Sequence, residues 1–225
     1  MQHRTVKDLM TRDVQIVERS TPFKDVVRLL AERDVTAVPV VDAAGRPVGV
    51  LSEADLLRKA ADRPGPEGLV PLPALEEWER AKAEGARAEE LMSAPAVCAR
   101  PDWTVVEAAQ LMEVQGVKRL PVVDEADRLV GIVSRGDLLR VFLRRDDAIR
   151  DEIHGAVFRD TLHLAPSEVT ADVRGGRVEL TGRVEVRSLI PILVRLCCAV
   201  DGVVAVRENL SYRTDDTPQA SRIPT

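Results

Sequence analysis

Val35-Thr36-Ala37-Val38-Pro39-Val40-Val41-Asp42 returns as Val117-Lys118-Arg119-Leu120-Pro121-Val122-Val123-Asp124, with Pro39 and Pro121 standing 82 residues apart. The offset holds without a gap from Leu9-Met10 against Leu91-Met92 to Asp55-Leu56-Leu57-Arg58 against Asp137-Leu138-Leu139-Arg140. An unbroken match over about fifty positions is an internal duplication, which means two copies of one structural unit.

Each copy carries the same local signals. Phe23, Val26, Val27 and Leu30 in the first, and Val105, Ala108, Ala109 and Met112 in the second, recur at i, i+3, i+4 and i+7, the stripe of an amphipathic helix. The apolar run 38–41, a polar turn centred on Ala43-Ala44-Gly45 and a second run at 48–51 predict a β-hairpin. A further helix is expected over about 53–59, and over 135–143 in the second copy. A short strand around Gln15-Ile16-Val17, or Ala96-Val97-Cys98, precedes the unit. The fold class is α/β, more narrowly α+β.

Composition narrows the function. Hydrophobic residues make up 45% of the 225 but aromatics only 3%, so the cores must be aliphatic, built from Val, Leu and Ala. A net charge of −5 gives no overall cationic field, which argues against nucleic-acid binding. No apolar run approaches the roughly 20 residues of a membrane span, and the N-terminus has no signal-like stretch; the chain reads as cytoplasmic. Cys98, Cys197 and Cys198 are few and odd in number, and His3, His154 and His163 lie far from them, so they read as structural or surface residues rather than metal ligands. Nucleotide-fold glycine patterns, a Ser–His arrangement and a paired-carboxylate motif are all missing, so no enzyme and no required cofactor is expected.

Each repeat resembles a CBS domain, the module first named after cystathionine beta-synthase. The marks are Met10-Thr11, Pro39–Asp42 and Gly49–Asp55 in the first copy, and Met92-Ser93, Pro121–Asp124 and Gly131–Asp137 in the second. The resemblance covers about residues 6–59 and 88–144. It implies two repeats, 1–60 and 88–145, packed sheet to sheet with two clefts between them that take an adenosine-containing ligand. Between them, 61–87 holds Pro64, Pro66, Pro71 and Pro73, and a charged stretch at 75–85 predicts a short helix in a surface crossover.

The Ser-x-x-Asp pairs, Ser52 with Asp55 and Ser134 with Asp137, admit two readings. One is a helix capping box. The other, implied by the resemblance, has Asp holding ribose hydroxyls and Ser facing ribose or phosphate at a helix start, where free N–H groups favour an anion. The same resemblance places the adenine against the opposite repeat, near Val35-Thr36 or Val117-Lys118, residues that also suit plain core packing. Lys118, Arg119 and Arg135 are the candidate phosphate partners. Because Arg135 stands where the first copy has Glu53, the Ser134/Asp137 site is expected to hold a phosphorylated ligand more tightly.

Beyond Arg145 the pattern changes. Ile149, Ile153 and Val157 fall at helical spacing; Val169, Ala171 and Val173 alternate, Gly175-Gly176 turns the chain, and Val178 and Leu180 alternate again. A helix over 188–198 and a strand over 204–212 follow. This order, with Gly176–Val184 and Asp201–Val206, resembles a BON domain over about 147–213. The domain is expected to occupy 146–213 and to be followed by a disordered tail at 214–225. The resemblance implies contact with phospholipid or with a partner protein; because the chain is acidic and shows no Lys/Arg-rich amphipathic helix with aromatic anchors, at most weak phospholipid contact is expected. The chain is therefore expected to be a regulatory adaptor sensing AMP, ADP or ATP, ahead of a dinucleotide or S-adenosylmethionine, as a homodimer acting on an unknown protein partner. The alternative is a ligand-free dimerisation scaffold.

Overall fold

The computed structural model describes residues 4–61 and 86–217. In the first copy α1 (Val6–Leu9), β1 (Val17–Glu18), α2 (Phe23–Arg33), β2 (Ala37–Val41), β3 (Pro47–Ser52) and α3 (Glu53–Ala61) follow one another; in the second come α4 (Ala88–Leu91), α5 (Val105–Val114), β4 (Arg119–Val123), β5 (Leu129–Ser134) and α6 (Arg135–Leu139). The hairpins share one register. Ala37 lies opposite Ser52 and Pro39 opposite Val50, as Arg119 lies opposite Ser134 and Pro121 opposite Ile132, with a shift after Val40 and again after Val122. The strand expected at Ala96-Val97-Cys98 contributes a single bridge, Ala99 to Val122, which matches the β1 pairing of Val17 with Val40. Both amphipathic helices end by turning through a left-handed residue, Asp34 (φ 51°) after α2 and Gly116 (φ 64°) after α5. That turn delivers Val35-Thr36 and Val117-Lys118 to the start of their hairpins.

Of the helical stripe, Val26, Leu30, Ala108 and Met112 are buried while Val27 and Ala109 are exposed, because the buried strip is narrower than the spacing implied; the structure also shows in whose core the buried residues lie. Val6 of α1 is fully buried among Ala108, Met112, Leu120, Val122 and Val133 of the second copy, while Ala88 and Leu91 of α4 pack with Val26, Leu30, Val38, Val40 and Leu51 of the first. The opening helices are thus exchanged. Backbone bonds fix the exchange: Val6 N–H donates to Trp103 O (2.8 Å), Ala88 N–H to Thr21 O (2.9 Å), and the pairs Thr11/Ile132 and Val50/Ser93 each bond in both directions. A Cβ at Gly49 would stand 2.4 Å from Met92 Sδ, and one at Gly131 2.5 Å from Met10 Sδ. The repeated Met and Gly of the sequence are the two halves of one contact.

The second compact unit takes in the chain from Leu139 onward. A 3-10 turn, Arg140–Leu143, buries Val141, and Arg144 donates to Asp201 O (2.9 Å) and pairs with Glu152 (2.8 Å). The helix that follows is α7 (Asp146–Glu152) continued by nine residues of wider π-helical winding, Ile153–Thr161, with Ile149, Ile153 and Val157 all fully buried. Then come β6 (Val169–Arg174), β7 (Arg177–Val186), α8 (Leu189–Cys198) and β8 (Ala205–Thr214), in a sheet of order β6-β7-β8 with β7 and β8 parallel. Asp146 accepts from Gly175 N–H (2.7 Å) and Gly176 N–H (2.8 Å), which hold its carboxyl below the usual range and tie the start of α7 to the turn. The last strand outruns its expected end. Thr214 pairs with Val186, Asp215 pairs with Arg187 (2.8 Å), and Asp216 accepts from Ser188 at the start of α8 (2.9 and 2.6 Å), so 214–217 belong to the domain rather than to a tail. The expected helix at 75–85 and the rest of the tail lie outside the described residues. Among the described residues, no helix is long and apolar enough to cross a membrane and no trio of His, Cys, Asp or Glu is placed to hold a metal ion.

Candidate functional site

The buried charged residues among those described are two aspartates, Asp55 (6% exposed) and Asp137 (9%), one per Ser-x-x-Asp pair. Each lies in the first turn of its helix and reaches back to the preceding strand. Ser52 N–H and Oγ–H donate to Asp55 Oδ2 at 3.0 and 2.6 Å; Ser134 N–H and Oγ–H donate to Asp137 Oδ2 at 2.8 and 2.7 Å. The capping reading describes this geometry, and in the second copy Asp137 N–H also donates to Ser134 Oγ (3.3 Å). Asp55 uses its other oxygen as well. Oδ1 accepts from Ser93 Oγ of the opposite repeat (3.3 Å) and from Arg58 (3.5 Å).

Both aspartates face clefts between the repeats. The larger, about 530 Å³, brings Ser52 and Asp55 together with Val117, Lys118 and Arg119 of the other copy; the smaller, about 230 Å³, brings Ser134 and Asp137 together with Val35 and Thr36. Thr36 and Arg119 line both, and Arg119 Nη2 donates to Thr36 Oγ1 across the repeat boundary. Arg135 lines neither. Its side chain is exposed, and its backbone N–H is spent on Lys118 O (3.1 Å), just as Glu53 N–H is on Thr36 O.

That placement reverses the charge ordering expected from Arg135 and Glu53. Arg58, Lys118 and Arg119 stand against Glu53 and Asp55 around the larger cleft, whereas the smaller sets Arg119 alone against Asp13, Asp34 and Asp137. Of the two, only the larger falls within the range of about 300–1,000 Å³ typical of small-molecule sites. Arg58, Ser93, Asp13 and Asp34 are among the lining residues that sequence reasoning passed over. Arg58 and Ser93 stood in plain view, one in the duplicated Asp-Leu-Leu-Arg and the other in the Met-Ser mark. Size alone does not decide the matter: a third hollow of about 530 Å³ lies beside Asp42, Arg46, Cys98 and Trp103, but its Arg100 is committed to Asp124 O and Asp127 (2.7 Å), and burial pushes the Cys98 thiol up.

This arrangement has relatives. Two segments, 6–62 and 88–144, match the CBS domain, and 145–214 match the BON domain. The chain belongs to the CBS-domain family. The uncharacterised protein MJ1426 of Methanocaldococcus jannaschii is 31% identical over 153 residues, spanning 61% of this chain and 90% of that protein. The crystal structure of CBSX2 in complex with AMP, a protein of Arabidopsis thaliana, superposes with a TM-score of 0.52 at 31% identity, covering 62% of this chain and 96% of the other. A homoserine O-acetyltransferase of Methanohalobium evestigatum is 25% identical over 141 residues. The match spans 63% of this chain but only 24% of that enzyme.

Proposed function

We propose that the chain is a cytoplasmic, non-catalytic regulator that binds an adenosine nucleotide between its CBS repeats and relays the binding to a protein partner or to its BON domain. The observation that carries this reading is the larger cleft. A buried carboxylate at a helix start, already accepting two hydroxyl hydrogens from Ser52 and Ser93, faces three cations from two elements in a space of small-molecule size. A ribose offers a carboxylate two hydroxyls in the same way, and Lys118 and Arg119 suit a phosphate. The likeness to CBSX2, whose structure holds AMP, supports AMP as the first ligand to test. Val117 at the turn provides apolar contact for the base. For the binding to regulate anything, the ligand must prefer one arrangement of the repeats, since equal affinity for two arrangements shifts neither.

Assembly as a homodimer through the CBS helices fits the same reading. Leu57 and Leu139, equivalent residues of the two copies, are 67% and 62% exposed on helices whose other faces are buried. A second reading, a scaffold without ligand, draws on the capping bonds, which satisfy Ser52 and Ser134 without any nucleotide.

Calorimetric titration of the full chain with AMP separates the two. The nucleotide reading expects saturable binding, weakened about tenfold or more in Asp55→Asn, a change that keeps an acceptor for the Ser52 cap but withdraws the charge. No heat from the wild-type chain, with a dimer mass by sedimentation, would leave the scaffold standing.

A further inference from the structure

The BON domain has a hollow of its own, about 310 Å³ in volume, between the π-helical stretch Ile153–Thr161 and the loop that leads to β6. Both walls are fixed by hydrogen bonds. Thr161 Oγ1–H donates to Ala156 O (2.7 Å) and Leu162 N–H to Val157 O (3.0 Å), five residues back in each case, which keeps the winding wide. Leu164 N–H donates to Phe158 O (2.9 Å) and pins the loop to the helix. Winding of this kind is rare, confined mostly to single turns and frequent at functional sites. The helical wall also contains Gly155, a residue that helix interiors disfavour. A Cβ there would stand 3.4 Å from Arg159 Nη2, so the guanidinium lies over the space that the glycine leaves. Asp160 accepts the Nε–H of Arg159 (2.9 Å), a bond that uses none of the Nη hydrogens. Phe158, 2% exposed, and Leu164 supply an apolar floor, and the His154 ring meets Phe158 edge-on at 5.0 Å.

We propose that this hollow binds a small monocarboxylate with a compact aromatic or branched body, its carboxylate on Arg159 and His154 and its body against Phe158, Leu164 and Pro166. A guanidinium presents paired N–H groups that match a carboxylate, and an imidazole adds a donor in either charge state. The body is compact because the volume stands at the lower end of the range of about 300–1,000 Å³ for small-molecule sites. The ligand carries one charge for two reasons. A second charge would lose its water against the apolar floor, and Asp151 at the same hollow, only loosely paired with Arg150 (3.8 Å), would repel it. The site is independent of the clefts between the CBS repeats.

Amide NMR spectra of the full chain, titrated separately with benzoate, isovalerate, succinate and inorganic phosphate, test this assignment. Benzoate and isovalerate should shift the amides of 154–159 and Leu164 and saturate with Kd below about 1 mM, and succinate and phosphate should bind at least about tenfold more weakly. Arg159→Met should weaken benzoate about tenfold or more, and Arg159→Lys, which keeps a point charge, should fall between. Gly155→Ala should weaken benzoate about threefold by pressing on the guanidinium, yet raise the urea midpoint, because Ala suits a helix interior better than Gly. A glycine that served structure alone would lose binding and midpoint together. No saturation by about 10 mM, succinate or phosphate as tight as benzoate, benzoate held equally by Arg159→Met, or a Gly155→Ala chain that keeps its affinity or loses midpoint would each overturn the proposal.

Discussion

The two CBS repeats share strand register to the residue, yet they are not equivalent in what they hold. Pairs such as Ala37/Ser52 and Arg119/Ser134 occupy the same places in their hairpins. The side chains at those places differ in charge, since the second copy has Lys118 and Arg119 where the first has Thr36 and Ala37, and Lys118 lines the larger cleft but not the smaller. Duplication copies the backbone bonds, which depend little on side-chain identity. It leaves the cleft walls free to diverge, because a solvent-facing position costs little stability when it changes. A pseudo-symmetric frame with unlike sites is the outcome.

The comparison breaks most visibly where the frame itself is struck. Gly49→Ala and Gly131→Ala both force a methyl into the opposite repeat's methionine, and each should cost about 1–3 kcal/mol, read as a lower urea midpoint. Gly49→Ala should cost more. Its Cβ would also approach Ser93 O at 2.9 Å, against 3.1 Å from Thr11 O at Gly131, and a backbone atom yields less than a thioether. Equal midpoints would show that the two exchanged contacts relax alike.

A smaller difference separates the amphipathic helices. At the start of α5, Thr104 accepts from Glu107 N–H (3.2 Å) and donates its own N–H and hydroxyl to Glu107 Oε2 (2.7 and 2.8 Å); in the first copy the same two positions are Pro22 and Asp25, and Pro22 makes no side-chain cap. Thr104→Ala should therefore cost about 1 kcal/mol. Asp25→Ala should cost no more than about 0.5 kcal/mol, since the Asp25 carboxylate makes only an exposed pair with Arg28. Chemical denaturation of both variants checks the ratio.

The smallest effect is one of pH. The N–H of Thr104, and then its hydroxyl, hold the Glu107 carboxyl below the usual glutamate range. A carboxyl lowered by folding stabilises above its unfolded pKa and loses that contribution as pH falls through the folded one. The gap in urea midpoint between wild type and Glu107→Gln should be present near neutral pH and shrink below about pH 4. A gap that widened on acidification would contradict the cap as the source.

What the sequence revealed and what it hid follow one physical divide. The hairpins were legible because β-branched runs such as Val38–Val41 and a Gly45 turn act over neighbouring residues, and the duplication doubled every signal. The sheet of the BON domain was legible for the same reason, from the alternation of Val169, Ala171 and Val173. The exchange of α1 and α4 was not. Val6 and Leu91 are apolar but carry no mark of which core receives them, and with equivalent cores either placement fits. Arg135 is exposed and lines neither cleft although it adjoins Ser134 in sequence: one step along a helix turns a side chain by about 100° around its axis. The π-helical winding of Ile153–Thr161 escaped as well, since a stripe of Ile149, Ile153 and Val157 is common to both windings.

The exchanged opening helices also set the order in which the molecule can be made. A ribosome delivers the chain from its N-terminus, and domains usually fold as they emerge. Here the first CBS repeat leaves the exit tunnel with its core open on the side that Ala88 and Leu91 will fill, while Val6, already made, has no partner until Leu120 and Val133 are synthesised. Neither repeat can close before most of the other exists. The nascent chain must therefore carry exposed aliphatic surface through much of its synthesis, and a gene truncated inside the connector yields half a core in search of a second chain.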